Sequence, residues 1–272
     1  MWSSPDVVNG VGLSSRLHRS RLPARLDVLQ GATGLILALF MWGHMLFVAS
    51  ILLSRDAMWV VARLFEGYFL IGRPAPLLVS SIVAAVLLLV ITHALLALRK
   101  LPASQRQYHA FRGHMRLMRH SDTTLWWVQC WTGFALFFLV GVHLHQMLMH
   151  PGDIGPYESA DRVYSGRWWP FYLVTLFCVE LHAGIGLYRL AMKWGWLQGP
   201  DPDRGRRRLQ RWKWALTAFF LALGLVTLAA YARIGHEHRH AVGERYVPAW
   251  LRSPPAAPAP WWWPGWLEAG QR

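Results

Sequence analysis

Leu176–Leu187 reads LFCVELHAGIGL. Apolar residues dominate it, as in the middle of a membrane helix, yet it carries Glu180 and His182. Ionisable groups at membrane depth are costly and as a rule mark a site. Two residues along a helix turn through about 200°, so the carboxylate and the imidazole point to nearly opposite sides. They are expected to serve different partners.

The surrounding chain is built the same way. Of 272 residues, 54% are hydrophobic and only 15% charged, with a mean hydropathy of +0.23. That is too apolar for an ordinary water-soluble domain. A membrane-crossing helix needs about 20 apolar residues. Five runs qualify: Asp27–Ser54, Pro76–Leu98, Thr124–Met149, Trp168–Leu190 and Trp214–Ala232. Tryptophans gather near their ends, at 126 and 127, 168 and 169, 194 and 196, and 212 and 214, as in the aromatic belts at headgroup level. The predicted fold class is therefore all-α, a polytopic bundle of five transmembrane helices. Residues 1–26 form a basic N-terminal arm, 27–232 the membrane domain and 233–272 an extracytoplasmic tail.

The net charge of +14 invites a nucleic-acid reading. The long uncharged spans exclude it, because they would have no water-compatible place to go. With the N-terminus inside, the arm and the loops 99–123 and 189–213 hold 18 Lys and Arg, against 10 for the outside segments. This bias predicts a cytoplasmic N-terminus and a C-terminus on the outer side. The two basic loops are either solvated or a docking surface for a soluble partner. Residues 1–26 have no apolar core of their own and make no cleavable signal peptide. Cys130 and Cys178 both lie in apolar runs and suggest neither a disulfide framework nor a zinc site. No CxxCH is present, which excludes covalent c-type haem. The tail segment SPPAAPAPWWWPGW is low-complexity, and HEHRH at 236–240 is expected to be a solvated flank.

The first four spans each hold one histidine well inside the apolar run: His44, His93, His143 and His182. Glycines accompany them in MWGHM, GVHLH and LHAGIG, and glycine lets a flat macrocycle approach the backbone. Depth suggests how they pair. At 1.5 Å per residue, His44 lies about 25 Å from Asp27 and His143 about 29 Å from Thr124, whereas His93 lies about 9 Å from Arg99 and His182 about 16 Å from Lys193. The matching depths are His44 with His143, toward the outer face, and His93 with His182, toward the inner face. Imidazole pairs are natural axial ligands of b-type haem, and helix bundles build such sites from facing side chains. A single zinc or copper site would want all four at one depth. Four unrelated packing histidines are the bland alternative.

Two carboxylates stand out. A buried Glu180 suits a proton relay better than a packing hydrogen bond. Glu66, in RLFEGYF, sits in the first outer loop among Leu64, Phe65, Tyr68 and Phe69. It is either a surface glutamate or part of an apolar pocket for a quinone ring.

The segments RLPARLDVLQGATGLILALFMWGHMLFVASILL, ITHALLALRKLPASQRQY, MRHSDTTLWWVQCWTGFALFFLVGVHLH and WWPFYLVTLFCVELHAGIGLYRLAMKWGW together resemble one family. It is the dihaem cytochrome b membrane anchor of quinol:fumarate reductases, in the succinate:quinone oxidoreductase superfamily. The likeness runs over about residues 20–232. It implies a five-helix anchor enclosing two b haems, the inner on His93 and His182, the outer on His44 and His143. It implies a menaquinol site near the outer haem with Glu66 as proton acceptor, and Glu180 as a transmembrane proton relay. Gln30, Trp126 and Lys193 are implied contacts of the inner haem's propionates, and Arg162 of the outer haem. An iron–sulfur subunit and a flavoprotein carrying FAD are implied on the cytoplasmic side, and a dimer of heterotrimers is compatible with this. The membrane implied is a bacterial inner membrane, with the outer side periplasmic. The expected function is menaquinol oxidation near the outer face, with electrons passed to the partners that reduce fumarate to succinate. The rival readings are the same complex run as a succinate:menaquinone reductase, the dihaem anchor of another quinone-linked dehydrogenase, and a haem-free transporter.

Overall fold

The chain's long apolar runs all become helices. The computed structural model describes residues 21–102, 104–118, 121–197 and 199–252, and every regular element among them is helical. The five long helices are α1 (Leu22–Val48, continued by a 3-10 turn Ala49–Leu52), α4 (Pro76–Leu98), α6 (Ser121–Met149), α8 (Trp169–Trp194) and α9 (Pro202–Glu237). Each is long and apolar enough to cross a membrane. Shorter helices fill the connections: α2 (Arg55–Phe65), α3 (Tyr68–Ile71), α5 (Gln105–Met118), α7 (Pro156–Val163) and α10 (Ala249–Arg252). The basic arm up to residue 20 and the Pro/Trp segment from 253 lie outside the described residues.

Four of the spans agree with the hydropathy reading to within a few residues. The fifth is longer at both ends, starting at Pro202 rather than Trp214 and ending at Glu237 rather than Ala232. Hydropathy stops at charge, but a helix does not. Asp201 caps this one, its carboxylate accepting from the Asp203 and Arg204 amides at 3.0 and 3.1 Å, and Pro202 stands in the first turn. Thirty-six residues make a rod of about 54 Å, well beyond the hydrocarbon core of about 30 Å.

Helix α1 packs on α4, α4 on α6, α6 on α8, and α8 back on α1, closing a four-helix ring; α9 lies outside it against α8. Small residues bring α8 and α9 together. A Cβ built at Gly184 would meet Thr217, and one at Gly224 would stand 2.5 Å from Leu176 and 2.8 Å from Met45. Close backbone approach through small residues is how helices associate where no hydrophobic drive separates lipid from protein. Large apolar side chains such as Leu77, Leu88, Trp131 and Phe138 point outward from the bundle, where only lipid would receive them.

One end of the bundle is closed by short elements. Ser54 caps α2, its hydroxyl accepting from the Ala57 amide at 2.9 Å, and Met58, Trp59, Ala62 and Arg63 are buried beneath this helix. The chain after α9 folds back as a strap over α2 and α7. There His238 Nδ1 meets Asp161 at 2.9 Å and stacks on Tyr157 at 4.0 Å. The Gly243 amide donates to Asp161 at 3.0 Å, and the Tyr246 hydroxyl to Asp56 at 2.6 Å. The reading of HEHRH as a solvated flank holds for His236, Glu237, Arg239 and His240, which are exposed, and fails for His238, whose side chain is only 8% exposed. The local sequence is polar, but α7 presents a buried carboxylate that a flanking imidazole meets.

Candidate functional site

A cavity of about 1010 Å³ runs through the four-helix ring and is lined by all four histidines. At one end it meets Asp27, Lys100, Arg189 and Lys193; at the other it meets Phe65, Ser159 and Arg162. His44 and His143 stand with ring centroids 6.3 Å apart, and His93 and His182 with centroids 6.4 Å apart. These are the pairs that depth selects.

The spacing bears on whether each pair could share a metal or a proton. A ring nitrogen lies about 1.15 Å from its centroid, and a histidine–metal bond is about 2.0 Å, so two imidazoles sharing one metal stand about 6.3 Å apart. Two imidazoles sharing a proton would stand about 1 Å closer, since a hydrogen bond spans about 2.7–3.2 Å between nitrogens. Both observed pairs are too far apart to share a proton and stand at a distance a shared metal would need, a separation that packed rings such as Phe111 and Trp127, at 6.5 Å, also show. Ten residues of α1 separate the Gly34 level, at His93, from His44, which puts the two pairs about 15 Å apart along the bundle.

The His93–His182 pair is oriented from behind. Thr33 on α1 donates its hydroxyl to the carbonyls of Leu29 and Gln30 at 2.9 and 3.1 Å. Its oxygen is then left to accept from His93 Nδ1 at 3.2 Å, beside the Gln30 carbonyl. Thr132 on α6 repeats this, donating to Val128 and Gln129 at 2.7 and 3.2 Å. His182 Nδ1 lies 2.9 Å from the Gln129 carbonyl and 3.4 Å from the Thr132 oxygen. Because these partners only accept, they favour the proton on Nδ1, which leaves Nε2 with a free lone pair. The next residue in each helix is glycine. A Cβ at Gly34 or Gly133 would come within 2.8 Å of the His93 or His182 ring, so only glycine admits the imidazole there. The His44–His143 pair is held differently: His44 stacks parallel to Phe40 at 6.0 Å, and His143 meets Tyr172 edge-on at 5.8 Å. His143 Nδ1 is buried without a partner.

Sequence reading passed over these supporting residues, although they leave a signal. Gln30-x2-Thr33-Gly34-x9-His44 recurs as Gln129-x2-Thr132-Gly133-x9-His143, and His93-Ala94-x5-Lys100 as His182-Ala183-x5-Arg189. The four-helix ring is thus a duplicated pair of helices in the same orientation. Each Q-x2-T-G motif orients the histidine of the following span.

Gln30, Trp126 and Lys193 all line the cavity near the His93–His182 pair, and Arg162 lines it at the opposite end, donating to the Asp153 carbonyl. Asp27 pairs with both Lys100 and Lys193. Burial first, then Arg99 and Arg189, pulls the Lys100 ammonium below the usual lysine range, so this end holds more positive charge than Asp27 balances. It suits a bound anion. The donor set, and a cavity lined by all four imidazoles with a cationic end, fit a bis-histidine metal macrocycle with acidic substituents.

The two carboxylates lie apart from the imidazoles. His182 lines the cavity and Glu180 does not. Glu180 is buried on the α9-facing side of α8, and neither oxygen makes a hydrogen bond of normal geometry. Glu66 is fully buried at the opposite end, paired with Arg63, with Oε1 left open. Its neighbours Ala62 and Phe65 line the cavity.

Residues 104–246 match the model of the succinate dehydrogenase/fumarate reductase transmembrane subunit family. The fumarate reductase cytochrome b subunit of Wolinella succinogenes is 50% identical over 226 residues, covering 83% of this chain and 88% of that protein. The proteins of the same name from two Helicobacter pylori strains are 48% and 47% identical over 235 residues, covering 86% of this chain and 91% of each.

Proposed function

The chain belongs to the succinate dehydrogenase/fumarate reductase transmembrane-subunit family, and from that footing we propose that it is the cytochrome b membrane anchor of a quinol:fumarate reductase. The single observation that carries this reading is the pair of imidazole couples at 6.3 and 6.4 Å inside one membrane bundle. A cytochrome b subunit carries haem, and haem supplies one-electron transfer between a quinol near the Glu66 end and partner subunits at the Asp27 end.

The chain's own residues do the rest. His93 and His182 would hold one group, with Thr33, Thr132 and two glutamine carbonyls fixing their tautomer. His44 and His143 would hold the second. Lys193, Lys100 and Arg189 would balance acidic groups of the first, with Gln30 and Trp126 beside them, and Arg162 would serve the second. Glu66 accepts a proton from menaquinol, with Arg63 stabilising the carboxylate between turnovers. The basic cytoplasmic loops dock an iron–sulfur subunit, and a flavoprotein bearing FAD reduces fumarate behind it. The N-terminus is cytoplasmic, in a bacterial inner membrane.

Quinol protons leave outside while fumarate consumes protons inside. Uncompensated, the electrons move against the membrane potential at about 2.3 kcal/mol per charge per 100 mV. Glu180, buried off the cavity with both carboxylate oxygens unpartnered, carries the compensating proton in this reading. Glu180→Gln is expected to keep both haems and slow quinol-linked turnover at least tenfold, a modest share of what proton transfer contributes; full-rate turnover ends the relay reading. The function as a whole is tested by a pyridine haemochrome count on the purified chain. Two b haems per polypeptide are expected, and none overturns the assignment.

A further inference from the structure

The Glu66 carboxyl does not reach solvent itself. It is fully buried, its Oε2 is committed to Arg63, and its backbone carbonyl accepts from the Ala75 amide at 2.9 Å. A proton acceptor that turns over must be emptied into something. Of the carboxylates near the strap and α7, Glu158 is the one with a buried oxygen that has no partner.

Glu158, on the first turn of α7, has a side chain only 9% exposed. Its Oε1 lies 3.7 Å from Arg245 Nε on the strap, and its Oε2 is buried with no partner. The chain makes room for it: Gly155 has φ +154°, and any Cβ there would collide with the Glu158 carboxylate. Arg245 also donates to the Gly152 carbonyl at 2.5 Å and lies 3.9 Å from Asp153. A Cβ at Gly152 would stand 3.8 Å from Pro76, and Pro76 follows the residue bonded to Glu66. Ser159 and Phe65, the immediate neighbours of Glu158 and Glu66, line the same end of the cavity. Exposure then steps outward, from none at Glu66 through 9% at Glu158 to 54% at Asp153.

We propose that Glu158 is a second proton-carrying carboxylate, taking the quinol proton from Glu66 and delivering it to water past Asp153 and Arg245. The proposal rests on the reading of Glu66 as the acceptor. In the step, protonated Glu66 and Glu158 carboxylate become Glu66 carboxylate and protonated Glu158, after which Glu158 releases the proton to the aqueous side. No electron moves, and Arg63 and Arg245 each regain a charged partner in turn. Burial, ahead of every other influence, raises both carboxyls above the usual range, so each holds a proton more readily than a surface glutamate.

The test uses the complete complex, with a short-chain naphthoquinol as donor and fumarate as acceptor. Glu158→Gln is expected to lower kcat at least tenfold, with haem content and quinol KM unchanged. Glu158→Asp, which keeps the titrating group, is expected to restore at least half the rate. Full-rate Glu158→Gln beside inactive Glu66→Gln overturns the proposal and leaves the acceptor reading standing. Full-rate Glu66→Gln removes both. Equal slowing by Glu158→Gln and Glu158→Asp, or loss of haem or a raised KM, makes Glu158 a structural prop and overturns the proposal as well.

Discussion

Replacing His182 by alanine is expected to leave one haem per chain instead of two and to cut quinol-driven turnover by about 10²-fold or more. Losing even a residue behind a ligand costs about 10–100-fold in affinity, and losing the ligand costs more. The loss should stay local, because the His44–His143 pair lies about 15 Å away along the bundle and shares neither Thr33 nor Thr132. A pyridine haemochrome count and the reduced-minus-oxidised spectrum check this; two haems retained in the variant would remove His182 from the ligand set. Thr132→Val makes the contrast. It keeps the volume and the imidazole but removes one acceptor of Nδ1, leaving the Gln129 carbonyl at 2.9 Å. A less basic imidazole favours the reduced metal, so the midpoint potential of that haem is expected to rise. A net hydrogen bond of about 0.5–1.5 kcal/mol corresponds to roughly 20–60 mV for one electron.

The parts of this architecture that depend on composition along one helix were legible in the sequence, and the parts that depend on two helices were not. Apolar length gave the five spans, and the rise per residue was enough to pair His44 with His143 and His93 with His182. The 200° between Glu180 and His182 correctly put them on different sides of α8. Thr33 and Thr132, however, look like ordinary polar residues in apolar runs. Their meaning appears only when the helices pack and their hydroxyl protons are found committed to their own backbones. The duplication of Q-x2-T-G-x9-H was visible in principle, but a spacing of 99 residues is noticed only once the two motifs are seen facing equivalent histidines. Polar composition likewise hid His238. It is a buried residue because Asp161, on a different element, stands opposite it. The true start of α9 was written as Asp201-Pro202, a cap signal overshadowed by the arginines that follow.

Glu66→Gln is expected to lower quinol-driven turnover about 10²-fold or more while both haems remain, since proton transfer by a positioned side chain contributes about 10²–10⁴-fold. Glutamine is the informative change because Arg63 is itself buried, its side chain 7% exposed and paired with Glu66. Removing the partner of a buried ion outright costs about 3–5 kcal/mol, and alanine would confuse loss of chemistry with loss of the fold. The amide keeps the volume and an acceptor for the guanidinium but cannot take a proton. The pH profile carries the sign. Burial raises the Glu66 carboxyl above the usual glutamate range, against the pull of Arg63 and Arg245. A base works only when deprotonated, so wild-type turnover should fall as pH drops through that raised value, earlier than a surface glutamate would cause. In Glu66→Gln this acid limb should vanish and leave a low rate without that inflection. The two features come from one group and must move together. A variant that turns over at full speed, or a slow one that keeps the wild-type acid limb, would assign the quinol proton to a different acceptor.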